Sequence, residues 1–274
     1  VVSYNFTYVE ALGVYYHYTR DPAVLEALRR AAVFHAGILW PDGSSVACID
    51  ERVIYLPGVA TGNVGFSWTP EGRGFLLRQI WQYSAGGERL IDADWAATML
   101  RYGGTGEGIA PPATADESTA VVGDLAQPER GAAVIRRSRP WQWALSGYAC
   151  PPLNSRWIQD RHNLLDVYHD TLGLVIGGGN TKLQPYWSTF TVGDPSLLRH
   201  TPGDENPNFV PDIDLLWTPQ STRITTSGEA LLSLQYGDVS ASVTVSHRPD
   251  DSLALCYRAP AGRRAEAHVP LRYR

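Results

Sequence analysis

The sequence has few cysteines and no long apolar run. Cys48, Cys150 and Cys256 are the only cysteines in 274 residues, and no two of them form a CxxC pair. Neither a zinc ribbon nor a disulfide framework is therefore predicted, and the redox compartment stays open. No apolar stretch approaches the roughly 20 residues that cross a bilayer, so an integral membrane protein is not expected.

Positive charge is also scarce. Lysine and arginine number 23 against 28 aspartates and glutamates, which gives a formal net charge of -5. The sequence contains no basic stripe interleaved with aromatic residues, the pattern that would attract a phosphate backbone. Nucleic acid is therefore not an expected partner. The same charge balance argues against a densely sulfated substrate, which would select a strongly basic cleft.

Hydrophobic spacing in the first hundred residues is helical. Apolar residues recur at i, i+3 and i+7 in two stretches between residues 6 and 35, which predicts two amphipathic helices. Asp21-Pro22 and Thr69-Pro70 each place a capping side chain before a first-turn proline, so both pairs predict helix starts. A fourth, shorter helix is predicted from about residue 92 to residue 102.

The hydrophobic period then changes from 3.6 to 2. The Gly/Pro/Ala-rich stretch GGTGEGIAPPATADES, residues 103 to 118, separates the helical part from seven short β-branched runs with turn signals between them. These runs predict an antiparallel β-sandwich. We therefore expect a helical domain over 1–105, a linker over 106–118 and a β-sandwich domain over 119–274.

Polar side chains share one face of a predicted strand. In the hairpin over residues 161–180, alternation places His162, Asp166 and Tyr168 on the same side. Such a face is either solvated or, if covered, needs polar partners or a ligand.

Further candidates occur in the helical part. Asn5 stands near the start of the first predicted helix, where asparagine is a good N-cap. Tyr55 and Arg52 lie in a long loop between Trp40 and Trp68. That loop is of the kind that often carries function, and an arginine there could bind an anionic substrate.

Together these segments resemble the heparinase II/III-like polysaccharide lyases. YNFTYVEALGVYYHYTRDP is similar to the Asn-bearing toroid helix of that family, and WPDGSSVACIDERVIY to its Tyr-bearing loop. RHNLLDVYHDTLGLVIGGG resembles the hairpin that opens with a histidine and has an aspartate four residues later. The matching positions are Asn5, Tyr55, His162 and Asp166.

The resemblance implies an α+β fold, in which the C-terminal helices of an incomplete α/α toroid are followed by an antiparallel β-sandwich. Because a full toroid has many more helices than four, the sequence is expected to be a fragment that lacks the N-terminal part. The substrate class implies a periplasmic or secreted protein. Leu164 and Leu56 stand where the family often has histidines. No cofactor or metal is therefore expected, although some members hold a structural divalent metal in the β-domain.

The implied activity is β-elimination in a uronic-acid-containing polysaccharide. Tyr55 would remove the C5 proton of the uronate and protonate the departing O4, while Asn5, alone or with Arg52 or His162, would stabilise the charge of the neighbouring carboxylate. His162 would assist or act as base toward the other epimer. The substrate-binding candidates are Arg52, Trp68, Tyr168 and His169, and the expected partner is an anionic polysaccharide or oligosaccharide.

Two other functions remain open. A uronyl C5-epimerase on the same fold would share the proton abstraction but return a proton without expelling O4. A non-catalytic carbohydrate-binding or structural module would be favoured if Tyr55 is buried in apolar surroundings and aromatic residues line an exposed groove. A glycosidase with a carboxylate pair is a more distant alternative, because no Asp/Glu pair in the sequence is singled out by its context.

Overall fold

The computed structural model describes residues 2–50, 62–87, 93–110, 118–149, 163–177, 189–194, 216 and 218–272. The chain divides into two compact units, of which the first comprises Val1–Ser45 and Leu56–Ser118. The second comprises Val46–Tyr55 and Thr119–Arg274. The first is here called the helical unit and the second the β unit, and each has an apolar core of its own.

Five helices are described. They are α1 (Val2–Thr19), α2 (Pro22–Gly37), the single turn α3 (Ala47–Asp50), α4 (Pro70–Ala85) and α5 (Ala93–Tyr102). The two predicted helix starts are confirmed: the Asp21 carboxylate accepts from the backbone N–H of Ala23 at 2.8 Å, and the Thr69 hydroxyl accepts from that of Gly72 at 3.1 Å. Each capping residue precedes a first-turn proline, whose fixed φ suits the first helical position.

The core of the helical unit is largely aromatic. A 3₁₀ turn, Val64–Trp68, packs against α1, α2 and α4, and its Phe66 ring lies 4.8 Å from the Phe75 ring between centroids. Gly13 of α1 faces Gly65 of the turn so closely that a Cβ on either residue would overlap backbone atoms. Two residues without side chains therefore let the helix and the turn approach backbone to backbone.

Eleven strands form three antiparallel sheets in the described part of the β unit. They are β1 (Ser118–Gly123), β2 (Ala132–Ser138), β3 (Trp141–Ser146), β4 (Leu165–His169), β5 (Gly173–Ile176), β6 (Phe190–Val192), β7 (Ser221–Thr225), β8 (Ala230–Tyr236), β9 (Val239–His247), β10 (Leu253–Arg258) and β11 (Ala265–Ala267). Strands β1 to β5 form a sheet in chain order, β7 to β10 form a four-stranded meander, and β6 pairs with β11.

The two larger sheets of the β unit share one apolar core. Leu145 and Val167 from the first sheet and Leu232 and Val243 from the second belong to the same buried cluster. Along β8 and β9, buried residues alternate with more exposed ones, as expected when one face of a sheet covers the core and the other faces outward.

Strand β4 does not follow that alternation. Its residues Leu165 to Tyr168 are all buried, so both faces of this strand are covered. On the face away from the shared core, α3 packs against β3 and β4, although α3 lies within the helical part of the sequence. The β unit therefore includes a short segment that begins at Val46.

The predicted α/α toroid is wrong. The described residues contain five helices and three antiparallel sheets, so the α+β composition is compatible with the prediction, but no toroid is evident. Of the five helices, α3 is a single turn that belongs to the β unit, and the core of the helical unit forms around α1, α2, α4 and the 3₁₀ turn. The toroid was an implication of the family resemblance, which rests on short segments, and short segments carry no information on how successive helices are arranged.

Within the described part of the chain, none of the helices combines the length and the apolar character that crossing a bilayer requires.

His35 provides a pH-dependent test of the helical core. Its side chain is 1% exposed among the rings of Phe6, Phe66 and Phe75, and burial lowers its pKa to about 4. An unfolded histidine has a pKa of about 6.5. Between pH 6.5 and pH 4, the unfolded chain therefore binds a proton at this residue and the folded unit does not. The free energy of unfolding should therefore drop by about 3 kcal/mol between pH 7 and pH 4 through this group.

His35→Leu should remove this contribution, as measured by urea denaturation followed by circular dichroism at the two pH values. Phe75→Leu, in the same core, also deletes a ring but leaves the histidine, and should keep the full acid sensitivity. Equal losses of stability in the wild-type and His35→Leu proteins would contradict the prediction.

Candidate functional site

The described side chain that joins the most distant segments of the β unit is the carboxylate of Asp166. It is fully buried on β4. Its Oδ2 accepts from the backbone N–H of Cys48 at 2.8 Å, and its Oδ1 accepts from Nδ2 of Asn163 at 2.8 Å. One charged group thus connects helix α3 to the segment that leads into β4.

Cys48 has a structural role in this arrangement. Its thiol is buried and lies 3.7 Å from the carbonyl oxygen of Ala144 on β3. Burial, together with the negative charge of Asp166, raises the pKa of the Cys48 thiol well above its ordinary value. The thiol is therefore protonated at neutral pH, and it does not have the thiolate character that a nucleophile or metal ligand needs.

The chain just after position 162 is held by two further hydrogen bonds. Asn163 is 1% exposed, and its Nδ2 also donates to the carbonyl oxygen of Leu165 at 2.7 Å. The backbone N–H of Leu164 donates to the hydroxyl of Thr189 at 2.7 Å. The two residues that follow position 162 are therefore fixed by hydrogen bonds.

Gly177 packs against the same carboxylate oxygen that Asn163 binds. Its φ is +129°, a conformation that L-residues rarely adopt, and a Cβ built at this position would overlap Oδ1 of Asp166. A glycine is required here for both reasons. Gly177 opens the GGG run of the sequence, whose remaining glycines lie outside the described residues.

A row of polar residues lies on the same sheet face as Asp166. Arg137, Gln142 and Tyr168 stand in register across β2, β3 and β4, and each is at most 3% exposed. Their neighbours along the strands, Trp143 and Val167, point into the shared apolar core, so the row points away from it. We call Arg137, Gln142 and Tyr168 the polar row.

The polar row continues to the end of the hairpin. Nε2 of Gln142 donates to Oδ1 of Asp170 at 2.9 Å, and Arg139 forms an ion pair with the same carboxylate at 3.7 Å.

The side chain of Tyr168, a predicted substrate-binding residue, is 3% exposed. A tyrosine covered to this extent packs within the unit and presents no face to a sugar ring in this conformation.

The predicted substrate residue His169 has a different setting at the end of β4. Its Nδ1 accepts from the backbone N–H of Thr171 at 3.2 Å, and its ring makes an edge contact with Trp141 at 4.6 Å between centroids. The histidine is partly exposed, whereas Asp166 and Tyr168 on the same strand are buried.

Trp68 and Asn5 lie in the helical unit. The indole N–H of Trp68 donates to the carbonyl oxygen of Gly13 at 3.1 Å, and the guanidinium of Arg20 stands 4.5 Å from its ring centroid. One ring face of Trp68 is therefore already in contact with a cation. Asn5 lies inside helix α1, which begins at Val2, so it is not the N-cap of that helix.

Three of the predicted site residues, Arg52, Tyr55 and His162, lie outside the described residues. The structure does describe the residue that follows His162, and the turn α3, which ends shortly before Arg52.

Several residues of the site were not predicted from the sequence. The backbone N–H of Cys48 meets Asp166 across 118 positions, a pairing that no local pattern indicates. Arg137 and Gln142 belong to β2 and β3, and their place beside Tyr168 follows only from strand register. The glycine run at Gly177 was the one local signal, because it marks a close approach of the backbone.

Substitutions at Asp166 and Gly177 should show energetic coupling. Asp166→Ala leaves the Cys48 N–H without its carboxylate acceptor and removes one of the two hydrogen bonds of the Asn163 amide, at a cost of about 3 kcal/mol in the free energy of unfolding. Gly177→Ala adds backbone strain and an overlap with the carboxylate, at a similar cost of about 3 kcal/mol. In the double variant the overlap is gone, so its loss should fall short of the sum by about 1–2 kcal/mol.

Urea denaturation of the four proteins of this cycle measures the coupling. Gly228→Ala is the matched control, because Gly228 has φ +94° but nothing within 4 Å of its Cβ position. It should show backbone strain alone, about 1 kcal/mol. Strict additivity of the Asp166 and Gly177 substitutions would contradict the described contact.

Among the described residues, no group of three His, Cys, Asp or Glu side chains is placed to hold a metal ion. Neither a protein-family model, nor a curated protein, nor a solved structure matches the chain. The function must therefore be argued from the residues themselves.

Proposed function

We propose that the protein cleaves uronic-acid-containing polysaccharides by β-elimination, with Tyr55 and His162 as the groups that move protons. The proposal rests on the order and setting of residues in this chain. The proposal does not depend on a toroid fold. It assigns no catalytic or binding role to Asn5 or Trp68, which lie in the helical unit.

The observation that carries the proposal is the position of Asp166. This aspartate stands four residues after His162, as in the motif that the hairpin resembles, and it is buried and bound by Asn163 and by the Cys48 N–H. Asn163 directly follows His162, and Cys48 lies on the segment that leads to Arg52 and Tyr55. A single carboxylate therefore binds the residue that follows His162 and a residue seven positions before Tyr55.

The anchoring suits the chemistry, because acid–base catalysis needs side chains held near their target. In β-elimination, a base takes the C5 proton, the C5–H electrons form the C4=C5 double bond, and the C4–O4 bond breaks. The departing O4 then receives a proton. Tyr55 as tyrosinate would serve as the base and, once protonated, as the acid.

Charge stabilisation is the second requirement. The C5 proton becomes acidic enough only when the neighbouring carboxylate is neutralised or hydrogen-bonded. Arg52, three residues before Tyr55, is the proposed partner of that carboxylate, and its positive charge would also favour the ionised form of the tyrosine. An enzyme with this substrate would act in the periplasm or outside the cell.

The test is the appearance of the unsaturated uronate in ultraviolet absorbance, with a panel of uronic-acid polysaccharides as substrates. The wild-type protein should produce a rising signal on at least one polymer, and Tyr55→Phe should lower the rate by a factor of about 100 or more. Tyr15→Phe, which removes a hydroxyl from a side chain that is 51% exposed on α1, is the matched control and should keep full activity.

Two results would count against the lyase. Exchange of the C5 hydrogen with solvent deuterium, without any unsaturated product, would identify an epimerase. A flat absorbance trace together with no exchange on every polymer would contradict both forms of the proposed chemistry.

A further inference from the structure

The outward face of the four-stranded sheet β7–β10 forms a groove. Its volume is about 1090 Å³, and its lining combines this sheet face with the short 3₁₀ turn Pro128–Arg130 and the segment 147–149. All of these residues belong to the β unit. The groove lies on the four-stranded sheet, whereas Asp166 belongs to the five-stranded one, so the two are separate sites.

One row of side chains crosses all four strands of this face. Arg223 of β7 pairs with Ser233 of β8, Ser233 pairs with Ser242 of β9, and Ser242 pairs with Arg258 of β10. Two serines therefore stand between two arginines in a straight line. Three strand spacings of about 4.8 Å separate the arginine backbones, a distance of about 14 Å.

The groups in this row are open to a ligand. Arg223 and Arg258 are exposed, and among the described residues no hydrogen bond engages the hydroxyl of Ser233 or that of Ser242. Nε of Arg258 contacts the weak acceptor Sγ of Cys256 at 3.4 Å, and the exposed carboxylate of Glu229 attracts its charge. The row thus presents two guanidinium forks and two hydroxyls at the floor of the groove.

The neighbouring row is ordered by its own hydrogen bonds. Ser221, Gln235 and Ser240 stand in register across β7, β8 and β9. The Ser240 hydroxyl donates to Oε1 of Gln235 at 2.6 Å, and Nε2 of Gln235 donates to the carbonyl oxygen of Gly237 at 2.7 Å. These contacts fix the amide beside the arginine row.

Tyr148 stands at the edge of the groove. Its ring packs on Gly131, where a Cβ would come within 2.5 Å of the ring, so the glycine backbone supports one face of the tyrosine. The Thr222 hydroxyl of β7 donates to the carbonyl oxygen of Gly147, which holds the Tyr148 segment against the sheet. The edge of the groove therefore carries an aromatic ring, and the segment that bears it is fixed to the sheet.

We propose that this groove binds an acidic oligosaccharide, with Arg223 and Arg258 binding two of its carboxylates and Tyr148 stacking on a sugar ring. Guanidinium forks bind carboxylates through paired, charge-assisted hydrogen bonds, and hydroxyls and amides suit the sugar hydroxyls. The one carboxylate in the lining, that of Glu129, is outnumbered by the two arginines.

The separation of the two arginines determines the size of the ligand. Side chains that extend from backbones about 14 Å apart face different sugars of one chain, so the proposed ligand carries several acidic sugars. The class agrees with the substrate of the proposed function, but the site depends on different residues. Its role is to hold the polymer, and no bond is broken there.

The binding test uses the full chain with the Tyr55→Phe substitution, so that the ligand is not consumed. Isothermal titration with a 4-linked hexauronate should give binding that Arg223→Ala/Arg258→Ala weakens by a factor of about ten or more. Arg248→Ala removes an exposed arginine outside the groove and should change the affinity less than about twofold. The neutral hexamer of 4-linked glucose should bind about tenfold more weakly than the hexauronate.

Tyr148 gives an independent readout. Tyr148→Phe keeps the ring and should retain the affinity, whereas Tyr148→Ala should lower it about tenfold, with thermal denaturation confirming that both variants are folded. Equal affinity in the double arginine variant and in Arg248→Ala would overturn the proposal, as would equal binding of inorganic polyphosphate. The binding test measures affinity with variants of the groove, whereas the absorbance assay measures product formation with variants of Tyr55, so the two proposals fail separately.

Discussion

A carboxylate that is taken out of water must receive hydrogen bonds within the protein, and Asp166 receives them from Cys48 and Asn163. The position of α3 on the sheet depends on this requirement, because the Cys48 N–H is one of the donors that bind the buried oxygens. The requirement also explains Gly177, since any side chain there would occupy the space of the carboxylate. Two segments that are 118 residues apart in sequence are thus held together by one carboxylate.

The two faces of the β unit that point away from its core differ in character. The face with Asp166 and the polar row is buried, so its charged and polar groups hold the structure together. The face with Arg223 and Arg258 is open, and its arginines are available to solutes. A single antiparallel architecture therefore provides a rigid support on one side and a binding surface on the other. This difference is the basis for assigning proton transfer and polymer binding to separate places.

The sequence allowed some features to be predicted and not others. Asp21 and Thr69 marked helix starts because capping is local, and alternation along β8 and β9 identified strands because the pleat has a period of two. The toroid prediction was wrong because the packing of helices depends on contacts between distant segments. The shared face of Asp166 and Tyr168 was foreseen, but Arg137 and Gln142 beside them follow only from strand register, which alternation within one strand does not determine.

The central structural claim is that Asp166 binds α3 to β4, and native-state hydrogen exchange at the Cys48 amide tests it most directly. The account predicts that this amide exchanges as slowly as the amides of β4, through the same opening of the β unit. In Asp166→Asn the exchange of the Cys48 amide should accelerate by a factor of about 10 to 100, because the charged acceptor is lost. Fast exchange at Cys48 in the wild-type protein, with β4 still protected, would contradict the account.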